Sequence, residues 1–173
     1  MAAEFRPRRL LDHLAAHGVD FVVIGGIAAT LYGSERATFD LDICPAQDVG
    51  NLEALGDALT AIDASLRGIE EDLPFVADAR TLAGVEILTL ATRLGPLDVV
   101  ISPTGGPPYK TLRRRATRMP LGGGEVLVAA IGDLIAMKEG AGRPKDLDDV
   151  ERLAALARLR RRLGRSEVLD GRE

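Results

Sequence analysis

The chain has 173 residues, 46% of them hydrophobic and 28% charged, with a formal net charge of −4, which is enough for one ordinary domain with a buried core and excludes a global pull toward nucleic acid or anionic lipid. Aromatics at 3% and the absence of Trp exclude a base-stacking platform, and the single cysteine, Cys44, excludes a disulfide framework or a multi-Cys metal site. No apolar run reaches the ~18–20 residues of a membrane span, and the opening "MAAEFRPRRLLDHLAAHG" is too interrupted by charge for a secretory signal, so a soluble cytoplasmic protein with no membrane partner is expected.

In chain order, Leu10, Leu11, Leu14 and Ala15 recur at helical spacing over 5–17, and Gly18 ends that helix. "DFVVIG" (20–25) is short, apolar and β-branched, the composition of a buried strand. "GIAATLYG" (26–33) fits a short helix between glycines. "TFDLDIC" (38–44) alternates, with Phe39, Leu41 and Ile43 on one face and Pro45 as the stop. "DVGNLEALGDALTAID" (48–63) is an amphipathic helix with Asp48 as N-cap. Residues 84–102 read as two strands in a hairpin turning at Gly95-Pro96. "SPTGGPPYK" is a loop, "TLRRRATRM" a short basic helix or an exposed arm, and "LGGGEVLVAA" a glycine turn followed by a strand. Helices follow over 131–142 and 144–164, the second with Pro144 at its first position, and "RSEVLDGRE" is a frayed tail. The expectation is one α/β (α+β) domain over 1–173, a small mixed sheet flanked by helices over about 18–130, then a helical segment over about 131–165.

Asp40 and Asp42 interrupt an otherwise apolar strand. Two residues apart, they share a face, with carboxylates about 7 Å apart along the strand. Burying two such charges costs several kcal/mol unless a positive charge lies between them. A hard divalent cation meets that need, and Mg²⁺ is commonly held by one or two carboxylates together with substrate phosphates. Asp98 is the only charge in "GPLDVVIS". If its strand lies beside 38–44, the three acids can hold two metals, the arrangement used for in-line displacement at phosphorus. The alternative for Asp98 is a structural ion pair, with Arg93 across the hairpin. Gly25-Gly26 follow a buried strand and open a helix, so their N–H groups can approach phosphate oxygens closely. The sequence has neither the G-K-[ST] of a P-loop nor the dinucleotide fingerprint.

"GG" (25–26), a thirteen-residue gap and "DLDI" (40–43), with an acid on a later strand, resemble the signature of the DNA polymerase β-type nucleotidyltransferase superfamily. More narrowly, "GGIAATLYGSERATFDLDI" and "KEGAGRPKDLDDVERL" look like the toxin nucleotidyltransferases of abortive-infection (AbiE-type, type IV) toxin–antitoxin systems. The resemblance implies the minimal nucleotidyltransferase fold. It implies a Mg²⁺- or Mn²⁺-dependent enzyme that moves a nucleoside monophosphate from an NTP to a hydroxyl, with an RNA acceptor (tRNA 3′ ends) and a cognate antitoxin protein. Under it, Asp40, Asp42 and Asp98 are metal ligands and catalytic acids, with Asp98 a base for the acceptor hydroxyl. Lys138 contacts nucleotide phosphates. Gly25, Gly26, Arg36, Lys145, Asp146 and Asp149 belong to the nucleotide site, Ser34 offers a hydroxyl to the γ-phosphate, and Thr38 is a control point.

Other readings stand beside this one. The acceptor can instead be a protein side chain (AMPylation) or a small molecule such as an aminoglycoside. The fold can serve as a catalytically silent nucleotide-binding module. Clustered acids also serve metal-dependent phosphohydrolases and nucleases, but those sites usually add His ligands, and neither His13 nor His17 is near the acids in sequence. "YKTLRRRATR" and "RLRRRLGR" can grip RNA phosphates or form solvated faces. His13 and His17 read as surface or boundary residues, and Cys44 as a small buried hydrophobe.

Overall fold

The apolar run at Phe21–Ile24 forms strand β1, buried along its whole length, because it is covered on both faces. The structure, a computed structural model, describes residues 4–68, 75–121 and 124–170, without the side chains of Lys145 and 164–170. Helix α1 (Pro7–Ala16) precedes β1 and buries Leu10, Leu11 and Leu14 of the stripe legible in the sequence, while Ala15 is exposed. After β1 come α2 (Gly25–Leu31), β2 (Leu41–Pro45) and α3 (Val49–Ala61). Asp48 caps α3, accepting the Asn51 N–H at 3.0 Å. Next are β3 (Ser65–Leu66), α4 (Ala79–Ala83), β4 (Ile87–Ala91), β5 (Leu97–Val100), α5 (Tyr109–Arg115), β6 (Thr117–Leu121), β7 (Gly124–Val128), α6 (Ile131–Ala141) and α7 (Pro144–Asp170).

The strands form one mixed sheet in the order β3-β4-β5-β2-β1-β7-β6. β1 runs antiparallel to β2 and parallel to β7, and β2 runs parallel to β5. The expected mixed α/β (α+β) fold is what the chain forms. Among the described residues, no helix is long and apolar enough to cross a membrane.

Several local expectations are corrected. β2 begins at Leu41, not Thr38, and includes Pro45 as its last residue. Before Leu41 there is no strand to pair with: β1 has already turned into α2 at Gly25, and β5 starts only after the turn at Gly95-Pro96. Phe39 is therefore not a core residue but 74% exposed, whereas Leu41 and Ile43 are fully buried as expected. The 84–102 hairpin forms, but its first strand starts at Ile87. "TLRRRATRM" is divided: a basic helix begins earlier, at Tyr109, and Thr117–Leu121 become an edge strand paired with β7. Pro120 is tolerated there because an edge strand leaves one row of N–H groups unpaired. The glycine turn expected at 122–123 lies outside the described residues. Residues 165–170, expected to fray, continue α7. β3 and α4 have no counterpart in the sequence reading.

The remaining singletons behave blandly. His13 Nε2 lies 2.8 Å from the Ala58 carbonyl and His17 Nδ1 2.9 Å from the His13 carbonyl, so both nitrogens act as donors. Cys44 is buried in the core, and burial pushes its thiol up to about 12.

Candidate active site

The site forms where β1 ends and α2 begins, opposite the start of β5. On β1 the last paired residue is Ile24, across from Asp42. On the other side of β2, Asp42 stands in register with Asp98 of the parallel strand β5. The chain leaves the sheet at Gly25 with φ +66°, a left-handed conformation that glycine adopts without strain. A Cβ on Gly25 would fall 2.0 Å from Asp42 Oδ2, and one on Gly26 would fall 2.4 Å from Thr38 Oγ1. The double glycine is thus a cradle that lets the Asp42 carboxylate lie against bare backbone, where it accepts a hydrogen bond from the Gly26 N–H.

Asp40, just before β2, joins the pair. Its carboxylate accepts from Thr38 Oγ1 at 3.1 Å. Asp98 lies on the same side of the sheet as the other two, and all three line one cavity of about 180 Å³ together with Gly25, Gly26 and Lys138. Asp98 does have an ion-pair partner, but not Arg93. Arg93 Nε is instead 2.6 Å from Asp63 Oδ2, in the connection between α3 and β3. The partner is Arg67, whose Nη2 lies 3.0 Å from Asp98 Oδ1 and 4.0 Å from Asp40 Oδ2.

Electrostatics follow from this crowding. Burial, and then the charges of Asp40 and Asp98, push the Asp42 carboxyl up to about 7, against the Gly26 N–H and Lys138, which favour its ionised form. Burial likewise raises Asp98, and Arg67 pulls it partly back. The pocket thus disfavours ionisation of Asp42 and Asp98 until more positive charge arrives.

That charge is partly built in along the opposite wall. α7 turns Asp146, Asp149 and Leu153 inward, a helical stripe in which two of the three buried residues are acids. Lys138 of α6 reaches Asp149 Oδ2 at 2.6 Å and Asp146 Oδ1 at 3.7 Å. Arg36 also pairs with Asp149, and Arg143 Nε donates to Asp146 Oδ2 at 2.7 Å. Burial raises the Asp146 carboxyl, but Arg143 and Lys138 outweigh it and hold the group below the usual carboxylate range. Lys138, Arg36 and Arg143 therefore line the cavity together with the α7 acids that pair with them. Ser34 lines the same cavity. Lys145 lies in the first turn of α7, and its side chain is outside the described residues. A second cavity of about 310 Å³ shares Asp42, Asp98 and Lys138 and is walled by Val100, Leu134 and Met137.

Sequence reasoning passes over two of these residues. Arg143 sits between two helices just before Pro144, and a basic residue in the sole connection between acid-bearing helices is a signal that was there to use. Arg67 has no local signal, because its role depends on the pairing of β3 with β4.

The donor set is all hard oxygen, suited to Mg²⁺ or Mn²⁺ and to no soft metal. The glycine cradle, which any Cβ would fill, leaves Asp42 an open approach. Among the described residues, no three ligating side chains already converge on one point, and Arg67 lies between two of the acids. No protein-family model matches the chain, and no curated protein matches it.

Proposed function

We propose that the protein is a divalent-metal-dependent nucleotidyltransferase that transfers a nucleoside monophosphate from an NTP to a hydroxyl acceptor. The observation that carries this reading is the in-register pair Asp42 and Asp98 beside a double glycine that opens a helix, with Asp40 on the same side. Mg²⁺ or Mn²⁺ held by Asp40, Asp42 and Asp98 would neutralise and orient the phosphates and acidify the acceptor hydroxyl.

The chain's own groups divide the remaining work. Gly25 and Gly26, lacking side chains, make room for the Asp42 carboxylate and the Thr38 hydroxyl at the edge of the nucleotide cavity. Lys138, Arg36 and Arg143 face the triphosphate, held by Asp149 and Asp146 so that they meet it in a fixed arrangement. Ser34 offers a hydroxyl on the same wall. The acceptor oxygen bonds to the α-phosphorus as the bond to the β-phosphate oxygen breaks, and pyrophosphate leaves with that electron pair. Asp98, whose carboxyl is raised by burial, takes the hydroxyl proton.

The motif resemblance supports an RNA 3′ end, that of tRNA, as acceptor and a toxin role opposed by an antitoxin protein. The test is incubation with each α-labelled triphosphate and Mg²⁺ or Mn²⁺, with total cellular RNA and separately with total protein. Label in RNA, absent with Asp42→Asn, supports the reading. Label in protein alone would replace the RNA acceptor with AMPylation. No label from any triphosphate in either fraction would overturn both the RNA and the protein acceptor.

A further inference from the structure

Arg67 is the charged residue at the acidic cluster, among the described residues, to which the proposed chemistry gives no part. It directly follows the two-residue edge strand β3, and its N–H donates to the Thr89 carbonyl at 2.9 Å. Thr89 stands opposite Asp98 in the β4–β5 register. This backbone bond carries the Arg67 side chain over the end of the sheet where Asp98 points. Its Nη2 meets Asp98 at 3.0 Å and lies 4.0 Å from Asp40. The side chain is 35% exposed, so solvent lies on its other flank.

The other cation closest to the acids is already committed. Lys138 pairs with Asp149 and Asp146. Arg67 is thus the guanidinium that compensates Asp98 and Asp40, the carboxylates that would hold a divalent ion under the proposed reading. A guanidinium and a doubly charged ion on the same pair of carboxylates would repel each other, because like charges would then lie a few ångströms apart. Release is geometrically simple: β3 is short and at the sheet edge, and the arginine has solvent to swing into.

We propose that Arg67 is a resident counter-cation of the carboxylate cluster, competing with the divalent metal for Asp98 and Asp40 and released from them when the metal binds. The inference rests on the metal-binding part of the nucleotidyltransferase reading. It makes Arg67 a positioning residue that offsets the mutual repulsion of Asp98 and Asp40 in the metal-free protein and sets the metal concentration at which the site fills.

The test is direct Mn²⁺ titration of the full chain at pH 7.5 without nucleotide, with free Mn²⁺ read by electron paramagnetic resonance. Arg67→Gln is expected to bind Mn²⁺ about tenfold more tightly than wild type, because the competing charge is gone. Arg67→Lys, which keeps the charge, should bind close to wild type. A Gln variant that binds equally or more weakly, while wild type does bind, overturns this inference and leaves the metal site standing. Absence of Mn²⁺ binding to both wild type and Arg67→Gln overturns the inference together with the metal reading beneath it. A readout on wild type alone stands if the Gln variant does not fold. Exchange of the Arg67 Nη–H protons with water, followed by NMR, should speed up on adding Mg²⁺, because Nη2 is the atom that holds Asp98. Unchanged exchange at saturating Mg²⁺ overturns the proposal.

Discussion

Asp42 on β2 and Asp98 on β5 stand directly opposite each other on parallel strands. Side chains in register on neighbouring strands lie within ~5 Å of each other at the backbone, so like charges there are destabilising unless something intervenes. The sheet accepts this arrangement because β1 ends at Ile24 and the backbone at Gly25-Gly26 leaves the Asp42 carboxylate an open pocket. Arg67, Thr38 and the Gly26 N–H each hold one of the three acids.

Asp42→Asn is expected to keep the fold and to reduce transfer by at least 10³-fold, since it removes one of the proposed metal-ligating charges. The same variant should alter the pH dependence of stability. The folded-state carboxyl is raised from 3.8 to about 7, so between those values the folded state holds more protons than the unfolded state. Metal-free wild type should therefore lose stability as pH rises from about 4 to 7 and change little above that from this group. At pH 8 with chelator, Asp42→Asn should melt higher than wild type, by an amount on the order of 2–4 kcal/mol. Divalent metal should then stabilise wild type and not the variant. Melting curves at pH 5 and 8, with chelator and with Mg²⁺, measure all of this. Equal pH profiles for the two proteins would contradict the burial argument.

Gly25→Ala combines a positive φ with a Cβ that would meet Asp42 Oδ2 at 2.0 Å. A loss of about 1–3 kcal/mol is expected from the backbone conformation alone, and the displaced carboxylate should also weaken Mn²⁺ binding. Gly18→Ala also has a positive φ, but nothing lies within 4 Å of its Cβ. It should lose stability without losing metal affinity. Denaturant melts and Mn²⁺ titration of the pair separate the two effects.

Lys138→Ala affects more than a ligand contact, because Lys138 neutralises buried Asp149 and Asp146. Arg36 and Arg143 still hold those acids, so the expected destabilisation is about 1–2 kcal/mol, below the ~3–5 kcal/mol of an abandoned buried charge. Combining it with Asp149→Asn should recover much of the stability while nucleotide affinity stays low. Nucleotide titration of the single and double variants checks this, and recovery of affinity in the double variant would remove Lys138 from the nucleotide site.

Thr38 Oγ1 lies 3.1 Å from an Asp40 carboxylate oxygen. Phosphorylation there would set about −1.5 to −2 charges against an already crowded acidic cluster. Protein phosphorylated at Thr38 is expected to lose nucleotidyl transfer, while Thr38→Val, which removes one hydrogen bond and adds no charge, should keep most of it. Labelled-transfer assays on both forms decide. Full activity of the phosphorylated protein would end the case for a control point.

Much of this was legible from local pattern. A strand alternates every two residues, so lone acids among apolar neighbours, Asp42 and Asp98, announce themselves without a structure. A buried β-branched run such as Phe21–Ile24, the acidic cap at Asp48, and helices ended by glycine depend on neighbours within a turn or two and were read from them. What needed the tertiary structure was every fact about partners distant in the chain. That Asp98 meets Asp42 depends on β5 choosing the parallel edge of β2. That Arg67 and not Arg93 pairs with Asp98 depends on β3 closing the sheet edge. That Phe39 faces solvent depends on β1 ending one residue before the glycines. Hydrophobic period and desolvation cost are properties of a short stretch, whereas strand order and register arise only when the whole sheet closes.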